Sequence, residues 1–301
     1  MSKTLTWIKA FRLRTLPLSL SGIIAGSFVA FAEGFWDNGI FALAILTTLF
    51  LQILSNLAND LGDSQKGADN ESRVGPQRAI QSGVISQKEM KFAIALLTLF
   101  SLTTAVPLII IGTQGMSSTV LITYMILAVA SITAAITYTI GKKAYGYSGL
   151  GDLMVLIFFG FTSVMGVYSL FTKIISWDLI LLSLTIGLLS VAVLNLNNMR
   201  DHKNDKAVNK NTLVVKIGFK QAKIYHSILI TTSLISLIIF IINREWYTAL
   251  ISLLPYLILL KHLSFVWKTT DPKALDPELK KVALSTFFIV ILFSLTLVLW
   301  N

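Results

Sequence analysis

Hydrophobic residues in this chain gather into long blocks that are separated by polar segments. Each block is close to the length of a helix that spans the hydrocarbon core of a bilayer, about 20 residues. The pattern therefore predicts an all-α integral membrane protein, with about nine transmembrane helices bundled in a single domain over residues 1–301. We place the helices at residues 16–34, 39–59, 91–112, 118–140, 150–171, 178–197, 224–242, 247–267 and 281–300.

The composition agrees with this pattern. Of the 301 residues, 54% are hydrophobic and 13% are charged, whereas about 25% of residues are charged in a soluble domain. The chain contains no cysteine, which excludes disulfides, thiolate metal sites and thiol nucleophiles. The net charge of +10 reflects the position of cations relative to the membrane, so it does not indicate a nucleic-acid partner. No feature of the sequence indicates an obligate protein partner.

The predicted helices divide the cations unequally between the two sides of the membrane. Of the 25 lysines and arginines, only Lys173 and Arg244 fall on one side. Cytoplasmic loops carry the excess of Lys and Arg in membrane proteins. We therefore expect a multi-pass protein of the cell (inner) membrane, with the N-terminus in the cytoplasm and the C-terminus outside.

Two long polar loops follow the second and sixth predicted helices, and a set of asparagines and aspartates begins each loop. The side chains are spaced i, i+4 and i+7 in the first set and i, i+3 and i+7 in the second, so the members of each set share one helix face. The first set, within 56–63, is Asn56, Asp60 and Asp63, and the second, within 197–205, is Asn198, Asp201 and Asp205. Because the second set recurs four helices after the first, the spacing predicts two similar four-helix halves, about 10–140 and 150–267, plus a last helix at 281–300.

Oxygen ligands without cysteine or clustered histidine indicate magnesium, which commonly joins carboxylates to substrate phosphates. Two such sets on the cytoplasmic face therefore predict a diphosphate between them. The alternative is that the sets are solvated helix ends, where Asn and Asp are common. Nearby cations would compensate the phosphate charge, although positive-inside topology alone also explains cations on this side. The candidates are Arg73, Arg78, Lys142, Arg200 and Lys210.

These residues resemble the UbiA-type intramembrane aromatic prenyltransferases, and most closely the members that prenylate 1,4-dihydroxy-2-naphthoate in menaquinone biosynthesis. The resemblance rests on the strings at 54–60, 73–76, 197–201 and 210–215, with 147–152 between them. Asn209 stands where the family has a glycine before the lysine of the second loop. Because this position requires a left-handed turn, which Asn tolerates, we expect that conformation here.

The resemblance implies transfer of a polyprenyl group from polyprenyl diphosphate to 1,4-dihydroxy-2-naphthoate, with loss of CO2 and formation of demethylmenaquinone. It implies a central cavity that opens laterally to lipid, and a Mg2+ site with Asn56 and Asn198 assisting Asp60, Asp63, Asp201 and Asp205. It also implies that Tyr138 lies beside the reacting carbon and that Arg12 binds the acceptor carboxylate.

Two other functions fit the sequence less well. A sister aromatic prenyltransferase would use 4-hydroxybenzoate or homogentisate as the acceptor with the same diphosphate site. A secondary transporter would place its ionisable groups near the bilayer midplane, whereas the two acidic sets lie at helix ends. Sequence reasoning therefore favours the enzyme.

Overall fold

The structure is a computed structural model that describes residues 2–70 and 74–300. Within these ranges, nine helices are long and apolar enough to cross a membrane, as the hydrophobic blocks predict. They are α1 Lys3–Ala32, α2 Asn38–Gln65, α3 Gln87–Gly112, α4 Ser118–Thr137, α5 Gly151–Thr172, α6 Leu179–Ala207, α7 Phe219–Asn243, α8 Tyr247–Lys268 and α9 Pro272–Trp300. The protein is therefore an all-helical, multi-pass integral membrane protein.

Four of these helices contain irregular turns. In α1, a helix over Lys3–Phe11 ends at Arg12, whose φ of 49° is left-handed, and a 3₁₀ turn leads into a second helix over Leu16–Ala32. Half of α5 is a π-helix, Leu156–Gly166. Both α8 and α9 begin with 3₁₀ turns. Irregular turns re-aim side chains, and the two in α1 and α5 border the cavity described below.

Helices α2 and α6 continue well past their apolar runs. The hydrophobic blocks end near residues 59 and 197, but the helices end at Gln65 and Ala207. Both acidic sets therefore lie on helices that project beyond the predicted spans, and their aspartates are paired with cations. Hydropathy marks where the bilayer ends, and it does not mark where a helix ends.

Glycines bring α5 close to α1 and to α6. A Cβ on Gly26 would lie 2.4 Å from the carbonyl oxygen of Val164, and the same test at Gly160 gives 2.7 Å to the carbonyl oxygen of Ser183. Small residues allow membrane helices to approach at backbone distance. As a result, the π-helical part of α5 is held between α1 and α6, and this places its aromatic side chains against the cavity.

A separate ionic network closes the face that we expect to lie outside. Arg244, after α7, pairs with Glu33, after α1, at 2.5 Å and with Asp178, before α6. Tyr168 also donates to Glu33 at 2.5 Å. One guanidinium therefore joins the ends of three helices on the side opposite the acidic sets.

Candidate active site

A cavity of about 430 Å³ lies between the helices, and its two ends differ in polarity. Apolar side chains from α3, α4 and α5 form one part, including Leu108, Leu127 and Phe159. Asparagines and aspartates from the ends of α2 and α6 form the other part. The arrangement suits a ligand with a charged head and an apolar body.

The α2 side of the polar end consists of Asn59 and Asp63, which lie one helical turn apart. Asp63 accepts a hydrogen bond from the Tyr147 hydroxyl at 2.8 Å and lies 3.4 Å from the Lys210 ammonium. A second cation, Arg78, has its Nη2 3.7 Å from Asp63. This carboxylate therefore faces the cavity with positive charge around it.

Asp60 has a different position from its neighbour in the motif. Its carboxylate is buried and forms ion pairs with Arg12 and Arg78, and it does not belong to the cavity lining. Asn56 is also buried, and its amide donates to the Phe11 carbonyl at 3.0 Å. That bond holds the break in α1 from which Arg12 reaches Asp60.

The α6 side of the polar end repeats the spacing of the α2 side. Asn197, Asp201 and Asp205 lie at successive turns and line the cavity, whereas Asn198 is buried outside the lining. The Arg200 guanidinium donates to both oxygens of Asp201, at 3.0 and 2.6 Å. The structure thus brings aspartates of both acidic sets to one cavity, and the asparagines that face it are not Asn56 and Asn198.

Asn59 is a site residue that sequence reasoning missed. Among the described residues, its side-chain oxygen is buried and accepts no hydrogen bond. A buried oxygen without a donor is costly unless a ligand satisfies it. A signal was present in the sequence, because Asn59 and Asp63 are spaced like Asn197 and Asp201.

The predicted basic residues fall into three groups. Arg12, Arg78 and Lys210 line the cavity. Arg200 is buried behind Asp201, and Lys142 is exposed outside the lining. Arg73 lies outside the described residues. Sequence reasoning did not select three further charged residues that line the cavity, and these are Arg14, Asp276 and Lys280.

The loop that follows α4 crosses α2 at close range and positions two tyrosines. A Cβ on Gly62 would lie 2.5 Å from the Thr139 hydroxyl oxygen, and that hydroxyl donates to the Ala58 carbonyl at 3.0 Å. Tyr138 thereby lines the cavity and Tyr147 reaches Asp63. Glycine at position 62 is required for this contact.

Burial and nearby charge set the protonation of these loop residues. Burial raises the pKa of the Tyr138 hydroxyl well above its usual value, and the carboxylates of Asp152 and Asp63 raise it further. Burial alone would lower the pKa of Lys210, but Asp63 and Asp205 more than offset it, so the pKa is raised. Tyr138 is therefore a neutral hydrogen-bond donor, and Lys210 stays charged.

The donor set fits magnesium shared with a substrate. Every acidic or amide group that lines the polar end is a hard oxygen ligand, and the Asn59 oxygen has no other partner among the described residues. Among those same residues, no three His, Asp or Glu side chains converge on one point. Mg2+ commonly binds one or two carboxylates and completes its shell with water and phosphate oxygens.

Comparison with known proteins agrees with this geometry. The sequence pattern of the UbiA prenyltransferase family matches residues 19–292, which include both acidic sets and at least part of every helix that lines the cavity. The chain belongs to the UbiA prenyltransferase family. The resemblance stated from the sequence motifs is thereby confirmed.

Individual family members cover almost the whole chain. The 1,4-dihydroxy-2-naphthoate octaprenyltransferase of Haemophilus influenzae is 41% identical, over 97% of this chain and 96% of its own. The enzyme of that name from Escherichia coli is 40% identical, over 98% and 96%. A UbiA homolog from Archaeoglobus fulgidus, solved with DMAPP and Mg2+, shares the fold with a TM-score of 0.58 at 14% identity, over 96% of this chain and 99% of its own.

We expect the substitutions Asn59→Ala and Asn56→Ala to affect different properties, the first Mg2+ dependence and the second thermal stability. Asn59→Ala should raise the Mg2+ concentration for half-maximal prenyl transfer by on the order of tenfold, because it removes a cavity-facing oxygen. Asn56→Ala should instead lower thermal stability, on the scale of a lost hydrogen bond of about 1 kcal/mol. Mg2+ titration and thermal denaturation of both purified variants give the comparison. A larger Mg2+ effect for Asn56→Ala would contradict the placement of the two side chains.

Proposed function

We propose that this protein transfers a polyprenyl group from polyprenyl diphosphate to 1,4-dihydroxy-2-naphthoate, with loss of CO2 and formation of demethylmenaquinone. The observation that carries the proposal is one cavity with oxygen ligands from α2 and α6 at one end and apolar walls at the other. The names of the two bacterial relatives support the choice of acceptor. An aromatic acceptor and a prenyl tail both match the apolar walls.

The diphosphate would lie between the two acidic sets, with Mg2+ as the cofactor. The residues that would hold the ion are Asn59 and Asp63 on α2 and Asp201 and Asp205 on α6, with Asp60, Asn56 and Asn198 behind them. Bound Mg2+ would neutralise the charge that develops on the leaving diphosphate. The Mg2+ in the Archaeoglobus fulgidus homolog supports this assignment.

Cations of the chain would stabilise the leaving group as well. In the structure, Arg78 and Lys210 are paired with the aspartates that line the cavity, at 3.7 and 3.4 Å from Asp63. In the presence of a diphosphate, Arg78 and Lys210 would donate to its oxygens, and Mg2+ would compensate the charge of the carboxylates that they pair with here. Fixed donors aimed at developing negative charge lower the barrier to bond cleavage.

The apolar part of the cavity would protect the allylic cation that remains after diphosphate leaves. Water would quench that cation, so its pocket must be dry. Phe158 and Phe159, on the π-helical part of α5, line this region. Their ring faces would also attract the cation. We propose that the cavity opens laterally, so that the rest of the polyprenyl chain stays in lipid.

The acceptor would bind between α1 and the loop after α4. Arg12 lines the cavity from the break in α1 and would bind the acceptor carboxylate with the guanidinium donors that Asp60 does not use. Tyr138 would lie beside the reacting carbon. Because its hydroxyl remains protonated, Tyr138 would orient an acceptor oxygen by donating a hydrogen bond rather than by removing a proton.

The asymmetry of the cations supports the cytoplasmic orientation of this site. We propose that the N-terminus lies in the cytoplasm and the C-terminus outside, in the cell (inner) membrane, as one domain of two related halves and a last helix. Both acidic sets would then face the cytoplasm, the compartment that supplies soluble diphosphates and magnesium. Lys173 and Arg244 would lie on the outer face.

Purified protein should transfer radiolabelled prenyl diphosphate to 1,4-dihydroxy-2-naphthoate in preference to 4-hydroxybenzoate or homogentisate. The reason is that all three acceptors carry a carboxylate for Arg12, but only the naphthoate has a two-ring system, which would make the larger contact with the aromatic walls. Thin-layer separation of the labelled products measures the preference. EDTA should stop the reaction and Mg2+ should restore it. A preference for 4-hydroxybenzoate would contradict the proposed acceptor. It would not affect the proposal that the two acidic sets bind diphosphate.

Changing Arg12 separates acceptor binding from diphosphate binding. Arg12→Ala should raise the KM for 1,4-dihydroxy-2-naphthoate about tenfold or more, the scale of a lost charged hydrogen bond of roughly 1.5–3 kcal/mol. The KM for prenyl diphosphate should change little. Lys9→Ala is the matched control, because Lys9 is an exposed cation of the same N-terminal helix. Equal weakening of both substrates would refute a role in acceptor recognition.

A further inference from the structure

Arg200 bonds three side chains around the second acidic set, two on α6 and one on α9. Besides its two bonds to Asp201, its Nη2 donates to the Asn197 side-chain oxygen at 2.9 Å. Its Nη1 pairs with Asp276, at the start of α9, at 2.5 Å. Only 2% of the Arg200 side chain is exposed. One buried guanidinium therefore fixes both Asn197 and Asp201, the first two cavity-lining oxygen groups of α6.

We propose that Asp276 is a positioning residue, which acts through Arg200 to hold Asp201 ready for the metal. The inference rests on the proposed Mg2+ and diphosphate site, and it adds an element from α9 to that site. Neither acidic set contains Asp276, which lies 71 positions beyond the last residue of the second set, Asp205 (276 − 205). Asp276 also lines the cavity, together with Leu279 and Lys280 on the next turn of α9.

The charge balance explains why Arg200 needs a second carboxylate. A guanidinium that pairs with Asp201 alone concentrates its attraction on that carboxylate, which makes the carboxylate a poorer ligand for a cation. Asp276 shares the positive charge and takes one of the guanidinium donors. The remaining donors keep Asp201 in one orientation. Outer-shell partners of this kind tune metal ligands in other proteins.

The start of α9 is itself held in place by a buried network on its other side. Glu278 bonds His262 of α8 at 2.5 Å, and His262 bonds His226 of α7 at 2.8 Å. Lys281 also pairs with Glu278 at 2.6 Å. Glu278 and both histidines are buried. Asp276 therefore projects from a turn that α7 and α8 fix, and this makes it a stable anchor for Arg200.

The test measures metal binding directly, with Mn2+ as the probe. Purified full-length protein is mixed with unreactive geranyl thiolodiphosphate, and free Mn2+ is followed by its EPR signal. Asp276→Ala should raise the Kd for Mn2+ by on the order of tenfold, as loss of an outer-shell partner does. Asp276→Glu should restore most of the affinity, because its carboxylate can still reach Arg200.

Asp178→Ala is the matched control. Asp178 also pairs with an arginine that has a second carboxylate partner, and 32% of its side chain is exposed, against 37% for Asp276. It lies on the opposite face, so its loss should leave the Kd for Mn2+ unchanged. If Asp178→Ala raised the Kd for Mn2+ as much as Asp276→Ala, the rise would reflect general destabilisation of the protein. That result would overturn the proposal.

Two further outcomes would also overturn the role of Asp276. An unchanged Kd for Mn2+ in Asp276→Ala would show that Asp201 needs no anchor from α9. A lower KM for prenyl diphosphate in that variant, with unchanged Mn2+ affinity, would make Arg200 a direct ligand of the diphosphate. The probe does not depend on the acceptor, so a different acceptor preference would leave this result standing. Wild-type protein that binds no Mn2+ would overturn both this inference and the proposed site.

Discussion

The polar end of the cavity depends on charge compensation of buried carboxylates. Asp60, Asp63, Asp201 and Asp205 are all buried at the edge of an apolar bundle. An unpaired charge in such surroundings is expensive, and removing one partner of a buried pair destabilises the protein. Each of these carboxylates has a cation within ion-pair distance. Those pairs hold α1, α2, α6 and the loop after α6 together around the cavity.

The same constraint explains two left-handed residues, Arg12 and Asn209, and the extensions of α2 and α6. The break in α1 at Arg12 carries a guanidinium to Asp60 that an unbroken helix would direct elsewhere. Lys210 follows Asn209, whose φ of 56° is left-handed, as the sequence predicted for a position where the family has glycine. The extensions of α2 and α6 past the apolar runs place carboxylates opposite these cations. The left-handed backbone at Arg12 and Asn209 thus lies at or next to a cation that pairs with a buried carboxylate.

Hydropathy and motif spacing predict much of this protein. The nine spans follow from apolar blocks because the bilayer imposes one helix length, and the two acidic sets follow from helical spacing. Which asparagine of each helix faces the cavity was less predictable. Helical spacing selects Asn56 and Asn198 as partners of the aspartates, but the rotation of α2 and α6 turns Asn59 and Asn197 toward the cavity. That rotation depends on packing against α1, α5 and the loop after α4, which one helix's sequence does not contain.

Contacts between segments that are distant in the chain could not be predicted from the sequence for the same reason. Asp276 sits in an ordinary helix start, and only the fold brings it to Arg200. Lys142 lies near the loop tyrosines in the sequence, yet its side chain is exposed outside the cavity. Positive-inside topology places many cations on one side of the membrane, so proximity in sequence does not identify those that reach the site.

The most direct test of this account is an experimental structure with Mg2+ and an unreactive polyprenyl thiolodiphosphate. The account predicts a diphosphate between α2 and α6, with Mg2+ about 2.1 Å from oxygens of both acidic sets. It also predicts that Arg78 and Lys210 turn from the carboxylates toward the phosphates. A diphosphate held by one set alone, or bound away from Asp63 and Asp201, would contradict the central claim that the two sets form one site.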